Sequence, residues 1–301
     1  MFNIISKTKY AYIFSGFLVA LSVFFISTWG LKLGIDFVGG TLMEVKFEQS
    51  IPTNLEIEKS LKEFDLKSLI LQPAENNSMI IRYAAEDDKL NQKVFGKIQE
   101  SYLGSQQLRV NFTNSSVSKE LRTKSIWALF WAIIGIMAYV AYAFRKVSRP
   151  VSSWKYGAGA VIALGHDVLI TVGAFSILGH VYGTEIGIPF IASLLTILGF
   201  SVHDTIVVYD RTRENLLKNS NKENFPEIVN RSLNETLTRS INTSISTLIV
   251  LVSIYFFGGD SIRDFALALI IGISFGTYSS IFVASALLVT SYKLQIRAKK
   301  V

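Results

Sequence analysis

The chain has 301 residues, half of them hydrophobic, with a formal net charge of +7 and no cysteine. So apolar a composition is rare in a soluble domain of this length, and its apolar residues cluster in long runs that point to membrane spans. The missing cysteines exclude disulfides, thiolate metal sites and cysteine nucleophiles, and three histidines leave little for a histidine-rich metal centre.

Residues 11–31 form the first apolar run, behind Lys7 and Lys9. A cleaved leader is the competing reading. The run of about 20 residues is long enough to cross a bilayer at about 1.5 Å per residue, and no small-x-small cleavage pattern follows it. Residues 1–31 are therefore read as a cytoplasmic N-terminus and an uncleaved first helix.

Residues 32–124 differ in character, with 13 Lys/Arg balanced by 13 Asp/Glu. "TLMEVKFE" alternates like a strand, and "TNLEIEKSLKEF" carries Leu55, Ile57, Leu61 and Phe64 behind a candidate N-cap, Thr53. "SLILQPA" and "SMIIRYA" read as a strand pair, "DDKLNQKVFGKIQESYL" as a helix and "QLRVNF" as a last strand. The order β-α-β-β-α-β predicts an α+β ferredoxin-like domain.

Five further spans are expected near 125–144, 155–178, 187–208, 239–257 and 264–291. Pro150 precedes one of them, Pro189 sits in the first turn of another and Pro226 opens a short helix, all tolerated positions for proline. Residues 125–291 thus hold spans two to six, and 292–301 are a basic tail.

Orientation follows from Lys and Arg in the short loops. One side carries Lys7, Lys9, Arg145, Lys146, Arg149, Lys155, Arg211, Arg213, Lys218, Lys222, Arg231, Arg239, Lys293, Arg297, Lys299 and Lys300, whereas the short loops opposite carry Arg263 alone. The basic side, with both termini, is expected to be cytoplasmic. The positive charge is then a topology signal and not a nucleic-acid surface. Near 225–237, Phe225, Val229, Leu233 and Leu237 make one helical stripe. It reads either as an amphipathic helix on the cytoplasmic membrane surface or as packing on the ends of neighbouring spans.

A charged residue at the centre of a membrane helix costs about 2.5–3.5 kcal/mol on insertion scales, so such residues usually face protein or a water cavity. Asp167 falls in the third span, Asp204 in the fourth and Arg239 at the start of the fifth, with His166 and His203 beside the two aspartates. Adjacent helical residues point about 100° apart, so neither His-Asp pair is expected to chelate from one face. A metal site would need both pairs to converge.

Arg239, Thr243, Ser246 and Ser253 form a polar stripe, expected to face neighbours or water. An apolar setting favours a neutral carboxyl and an approaching guanidinium favours the carboxylate. One reading makes Asp204 a proton carrier with Arg239 as conditional partner; the other makes the two a static pair or a packing hydrogen bond. Asp167 leans to the structural side, and His203 could relay protons or serve as a hydrogen-bond donor. Gly272, Gly276, Ser280 and Ala284 repeat every four residues, a ridge suited to close helix packing. Gly34, Asp36, Gly39 and Gly40 in "GIDFVGG" suit a junction after the first span, where glycine permits tight turns.

"GIDFVGGT", "ALGHD", "FSVHDTIVVYDRTREN", "SLNETLTRSINTS" and "FGGDSIRDFALALIIGISFGTYSSIFVAS" follow one another in an order that resembles the SecF branch of the SecD/SecF family. That family commonly has Asn where this chain has His203, and a Gly-Pro turn that "SSVSKELRTKS" lacks.

The resemblance implies one six-helix half of a resistance-nodulation-division (RND) transporter fold in the bacterial cytoplasmic (inner) membrane. It implies pairing with SecD, which carries the other half, and work beside the SecYEG translocon, other Sec accessory membrane subunits, the translocating preprotein and membrane lipids. The implied role is to use the proton motive force for late, ATP-independent export, with Asp204 and Arg239 at the positions linked to proton flow; from the residues alone, Asp167 and His203 are candidate supporting groups. No phosphate-binding G-x-x-x-x-G-K-[ST] is present in the sequence. No catalytic residue, cofactor, metal or nucleic acid is expected. The alternatives are a non-conducting scaffold for SecD and the channel, or half of a small-molecule or lipid exporter.

Overall fold

The computed structural model describes residues 2–48, 50–74, 76–84, 88–145, 151–219 and 224–300. Lys146, Arg149, Pro150 and Lys222, used above for orientation and span limits, lie outside the described residues. The chain divides into two compact units, Met1–Lys32 with Trp127–Val301, and Leu33–Ile126.

The first apolar run becomes α1, Thr8–Trp29. In the smaller unit follow α2 (Ile35–Val38), β1 (Gly40–Lys46), α3 (Asn54–Leu61), β2 (Lys67–Ala74), β3 (Ser78–Ala84), α4 (Asp88–Ser101) and β4 (Gln106–Thr113). The strands form one antiparallel sheet in the order β2-β3-β1-β4. Side chains alternate across a strand, so Met43 and Val45 of β1 share a face with Met79 and Ile81 of β3. There they are buried against Ile57 and Leu61 of α3 and Val94 and Ile98 of α4.

Helix α3 starts where the sequence placed its cap. Glu56 N donates to Thr53 Oγ1, and Thr53 N donates to Glu56 Oε2 at 2.8 Å. The Thr53 amide and hydroxyl hold the Glu56 carboxyl below its ordinary range. The β2–β3 turn is closed by Asn76 and Asn77, both at positive φ, a conformation Asn tolerates better than most residues.

The glycines of the junction play unequal parts. Gly39 and Gly40 have φ of 85° and 120°, in the region that disfavours a side chain. Gly34 has φ −76°, which any residue adopts, so the turn expected of it is not what it supplies. A Cβ at Gly40 would lie 2.7 Å from Tyr83 O across the sheet. Gly40→Ala is therefore expected to destabilise the smaller unit by about 1–3 kcal/mol. Limited proteolysis of the full chain would show this as faster cleavage within 33–126.

The division between the units falls within α5 (Ser115–Ala143), after Ile126; in the larger unit α6 (Ser153–Tyr182), α7 (Ile188–Asn219) and α8 (Phe225–Phe257) follow, then α9 (Asp260–Ser279), a π-turn (Ser280–Ala284) and α10 (Ser285–Lys300). Among the described residues, six helices are long and apolar enough to cross a membrane: α1, α5, α6, α7, α8 and the α9–α10 run. About half of the apolar stretch is buried in α6 (50%), α7 (44%) and α9–α10 (56%), against 6% in α5. The third, fourth and sixth spans therefore make the centre of this unit.

Several helices run past the expected span limits, α5 from Ser115 and α6 to Tyr182 among them. A helix continues past the apolar run when nothing breaks it and its charges find partners. α7 runs beyond 208 because Arg211 pairs with Glu214 and Glu235. The stripe near 225–237 is not a separate surface helix. It forms the first turns of α8, which has Pro226 at its start and no further Gly or Pro before Gly258. Phe225, Val229 and Leu233 are buried with Tyr209, Ile281 and Leu288, so the packing alternative holds. The basic tail from 292 likewise continues α10 through Lys300.

The ridge in the sixth span lies against α7. A Cβ at Gly272 would run into the Ile197 side chain, and one at Gly276 would meet Ser201 Cβ at 3.0 Å. Ser280 and Ala284 are fully buried in the π-turn.

Candidate functional site

The fourth span carries Asp204 into the middle of the helices. Asp204 is 3% exposed. Its Oδ2 is buried and has no hydrogen-bond partner among the described residues. Ser240 of α8 is within reach of the carboxyl, yet Ser240 Oγ also closes no hydrogen bond. A buried oxygen in that condition is costly. Protonation would turn it into a donor with an acceptor at hand.

Arg239 does not stand beside it. Its side chain is exposed, and among the described residues no ion pair joins it to Asp204. The reason is rotation on the helix. Neighbouring positions differ by about 100°, and Ser240 takes the inward position, which turns Arg239 outward. The expected polar stripe lies on the same outer side. Thr243, Ser246 and Ser253 are exposed and bond to carbonyls of their own helix. The buried stripe is Ser232, Thr236, Ser240 and Ser244, one position over and also spaced by four. Ser244 Oγ meets Thr277 Oγ1 of α9 at 2.6 Å.

Asp167 is fully buried and well supplied with donors. Its Oδ2 accepts from Ser201 Oγ of α7 at 2.6 Å and from Ser279 Oγ of α9 at 2.7 Å. Its Oδ1 lies 2.8 Å from His166 Nδ1. Adjacent residues thus do meet here, because the side chains bend toward each other beyond their diverging Cβ atoms. His166 Nε2 is buried with no partner among the described residues, and its ring stacks on Tyr278. His203 is exposed. Among the described residues no three His, Asp or Glu side chains converge as a metal site would require.

At the basic end of α7 lies a cluster that the sequence reading used only for orientation. Arg211 Nε donates to Glu235 Oε2 at 2.6 Å, and Lys218 Nζ to Glu214 at 2.6 Å. Asn215 Nδ2 donates to Ser232 Oγ at 2.9 Å and to Glu235 Oε2 at 2.8 Å. Asn215 is 4% exposed, whereas the Arg211 side chain is 35% exposed. Half-exposed ion pairs contribute about 0–1 kcal/mol, but breaking a buried amide's bonds costs about 1–3 kcal/mol. Asn215→Ala is therefore expected to lower the thermal midpoint in detergent more than Arg211→Ala does.

The site residues fall inside two family matches. Residues 94–294 match the family described as "Protein export membrane protein SecD/SecF, C-terminal", and 24–51 match the "SecD/SecF GG Motif". The chain belongs to the SecD/SecF family. Asp167, Asp204 and Arg239 lie in the first SecD/SecF match, and Gly34, Asp36, Gly39 and Gly40 in the second.

The chain is 41% identical to the protein translocase subunit SecF of Thermobaculum terrenum, over 95% of this chain and 93% of the relative. It is 38% identical to that of Haemophilus influenzae, over 93% and 82%. Its fold matches the crystal structure of SecDF, a translocon-associated membrane protein from Thermus thermophilus, with a TM-score of 0.83 at 33% identity. A second SecDF structure, in a super-membrane-facing form, matches with a TM-score of 0.70 at 32% identity. The chain is 96% covered in the first comparison and 99% in the second, yet it spans only 38% and 40% of those SecDF chains.

Proposed function

We propose that this chain is an auxiliary subunit of the Sec preprotein translocase that works with SecD to use the proton motive force in late, ATP-independent export. The observation that carries this is Asp204, a carboxyl buried among membrane helices with one oxygen left without a partner. Asp167, by contrast, has partners on both oxygens. Asp204 instead leaves room for a proton to come and go, and Ser240 is its neighbour across the helix gap.

Arg239 enters this reading as a conditional partner. It is exposed on α8 in the conformation at hand, so a turn of that helix, or an approaching subunit, would bring it into play. Pairing with SecD is supported by the SecF names of the relatives and by the chain's share of the SecDF chains. SecYEG, other Sec accessory membrane subunits, the preprotein and lipids belong to the same proposal. So does placement in the bacterial inner membrane with both termini cytoplasmic, which the distribution of Lys and Arg supports.

We read the unit Leu33–Ile126 as the ferredoxin-like extracytoplasmic domain. The strand-helix order and the sheet order β2-β3-β1-β4 support that reading. The test of the function is preprotein transport into sealed vesicles holding this chain with SecD and the channel. Transport should rise when a proton gradient is imposed. A rate indifferent to the gradient would remove the proton-driven role.

A further inference from the structure

The sixth span changes its winding at a place where other helices hold it. A π-turn is rare and leaves backbone carbonyls in need of other donors. Around Ser280–Ala284 those donors are present. Ser285 Oγ donates to Ser280 O at 3.1 Å, and Tyr209 Oη donates to Ala284 O at 3.1 Å. Directly before the turn, Ser279 Oγ donates to Asp167 Oδ2, which also accepts from Ser201 Oγ. Ser201 and Tyr209 both belong to α7, and Asp204 lies between them. The π-turn is thus tied at both ends to the stretch of α7 that carries Asp204. Tyr209, Asp167, Ser279 and Ser201 are all buried.

We infer that Asp167 is a positioning residue. Through Ser279 and Ser201 it fastens the π-turn of the sixth span to the part of α7 that holds Asp204, so that a change at Asp204 reaches the winding of the sixth span. Simple packing would not need a carboxylate, which is costly to bury and here takes donors from three helices to offset that cost. The location matters as well. Helix winding differs by one residue between a π-turn and an α-turn, and one residue is about 100° of rotation. Releasing Ser279 would let the turn relax and rotate α10 below it. The inference rests on the reading of Asp204 as the proton site.

The chain has no native cysteine, so spin labels at Ser274→Cys and Leu294→Cys can report on the turn from either side. Both positions are exposed on the chain. The distance between the labels is measured in vesicles holding the complex with SecD. Asp204→Asn should shift that distance in the otherwise unaltered chain. The shift should vanish in the Ser279→Ala and Asp167→Asn backgrounds and return in Ser279→Thr, which keeps the hydroxyl. A merely structural clasp would lower the yield of Ser279→Ala and leave the shift in place.

An equal shift with and without Ser279→Ala, or no shift from Asp204→Asn at all, overturns the inference. Gradient-dependent transport is measured on the same samples. If Asp204→Asn keeps it, the proton reading fails on its own, and the label distances still decide whether the clasp couples the two spans.

Discussion

Asp204→Asn is expected to reduce transport in the presence of a proton gradient to the level seen without one. The amide has nearly the shape of the carboxyl and is uncharged, so insertion and association with SecD should persist. It cannot gain or lose a proton near neutral pH. A proton crossing about 150 mV supplies roughly 3.5 kcal/mol, enough to move a two-state equilibrium by a few hundredfold. The loss should therefore be nearly the whole of the gradient-dependent increment, not a fraction of it. Transport per complex and yield of complex are measured separately. Unchanged transport per complex with reduced yield would assign Asp204 to scaffolding.

Gly173→Val is expected to damage folding strongly. A Cβ at Gly173 would lie 2.7 Å from Ser22 Cα of α1. That neighbour is backbone and cannot rotate aside, so the first and third spans would have to part. The same face of α6 holds α1 again at Ser176, whose Oγ donates to Phe25 O at 3.0 Å and Gly30 O at 2.6 Å. Overpacking of this kind costs about 1–3 kcal/mol or more. Heating in detergent followed by size-exclusion chromatography should show most of the variant lost where the parent chain survives. Gly165→Ala is the control in the same helix, since nothing lies within 4 Å of the Cβ it would add. An unchanged thermal midpoint for Gly173→Val would mean that α1 does not pack on α6 as described.

These two residues show how far the sequence could be read. Apolar runs mark all six long helices because burial in lipid demands them. Alternation in "TLMEVKFE" and the Thr53 cap are local signals, and β1 and α3 begin where they indicate. Asp204 is conspicuous as a charge in an apolar run. Its partner was harder to find. Arg239 draws the eye as the opposite charge, but which side of α8 faces inward depends on packing against α7 and α9. The inward stripe Ser232-Thr236-Ser240-Ser244 was visible as a period of four, hidden by the parallel stripe one position away. The donors to Asp167 come from α6, α7 and α9, and no local pattern joins Ser201 to Ser279 across 78 positions of chain. The continuity of α8 could have been anticipated from the lack of a breaking residue between Pro226 and Gly258.

That continuity has a mechanical consequence. α8 has 33 residues, so at about 1.5 Å each it is about 50 Å long, and a hydrocarbon layer of about 30 Å leaves roughly 20 Å projecting. A tilt of about 10°, modest for a membrane helix, would sweep the projecting tip through about 3 Å. Asn230 and Asn234 on that arm grip the backbone of Phe2 and Ile4. The fifth span can therefore act as a lever with the backbone of Phe2 and Ile4 tethered to its handle, so that a tilt near Ser240 would be magnified there.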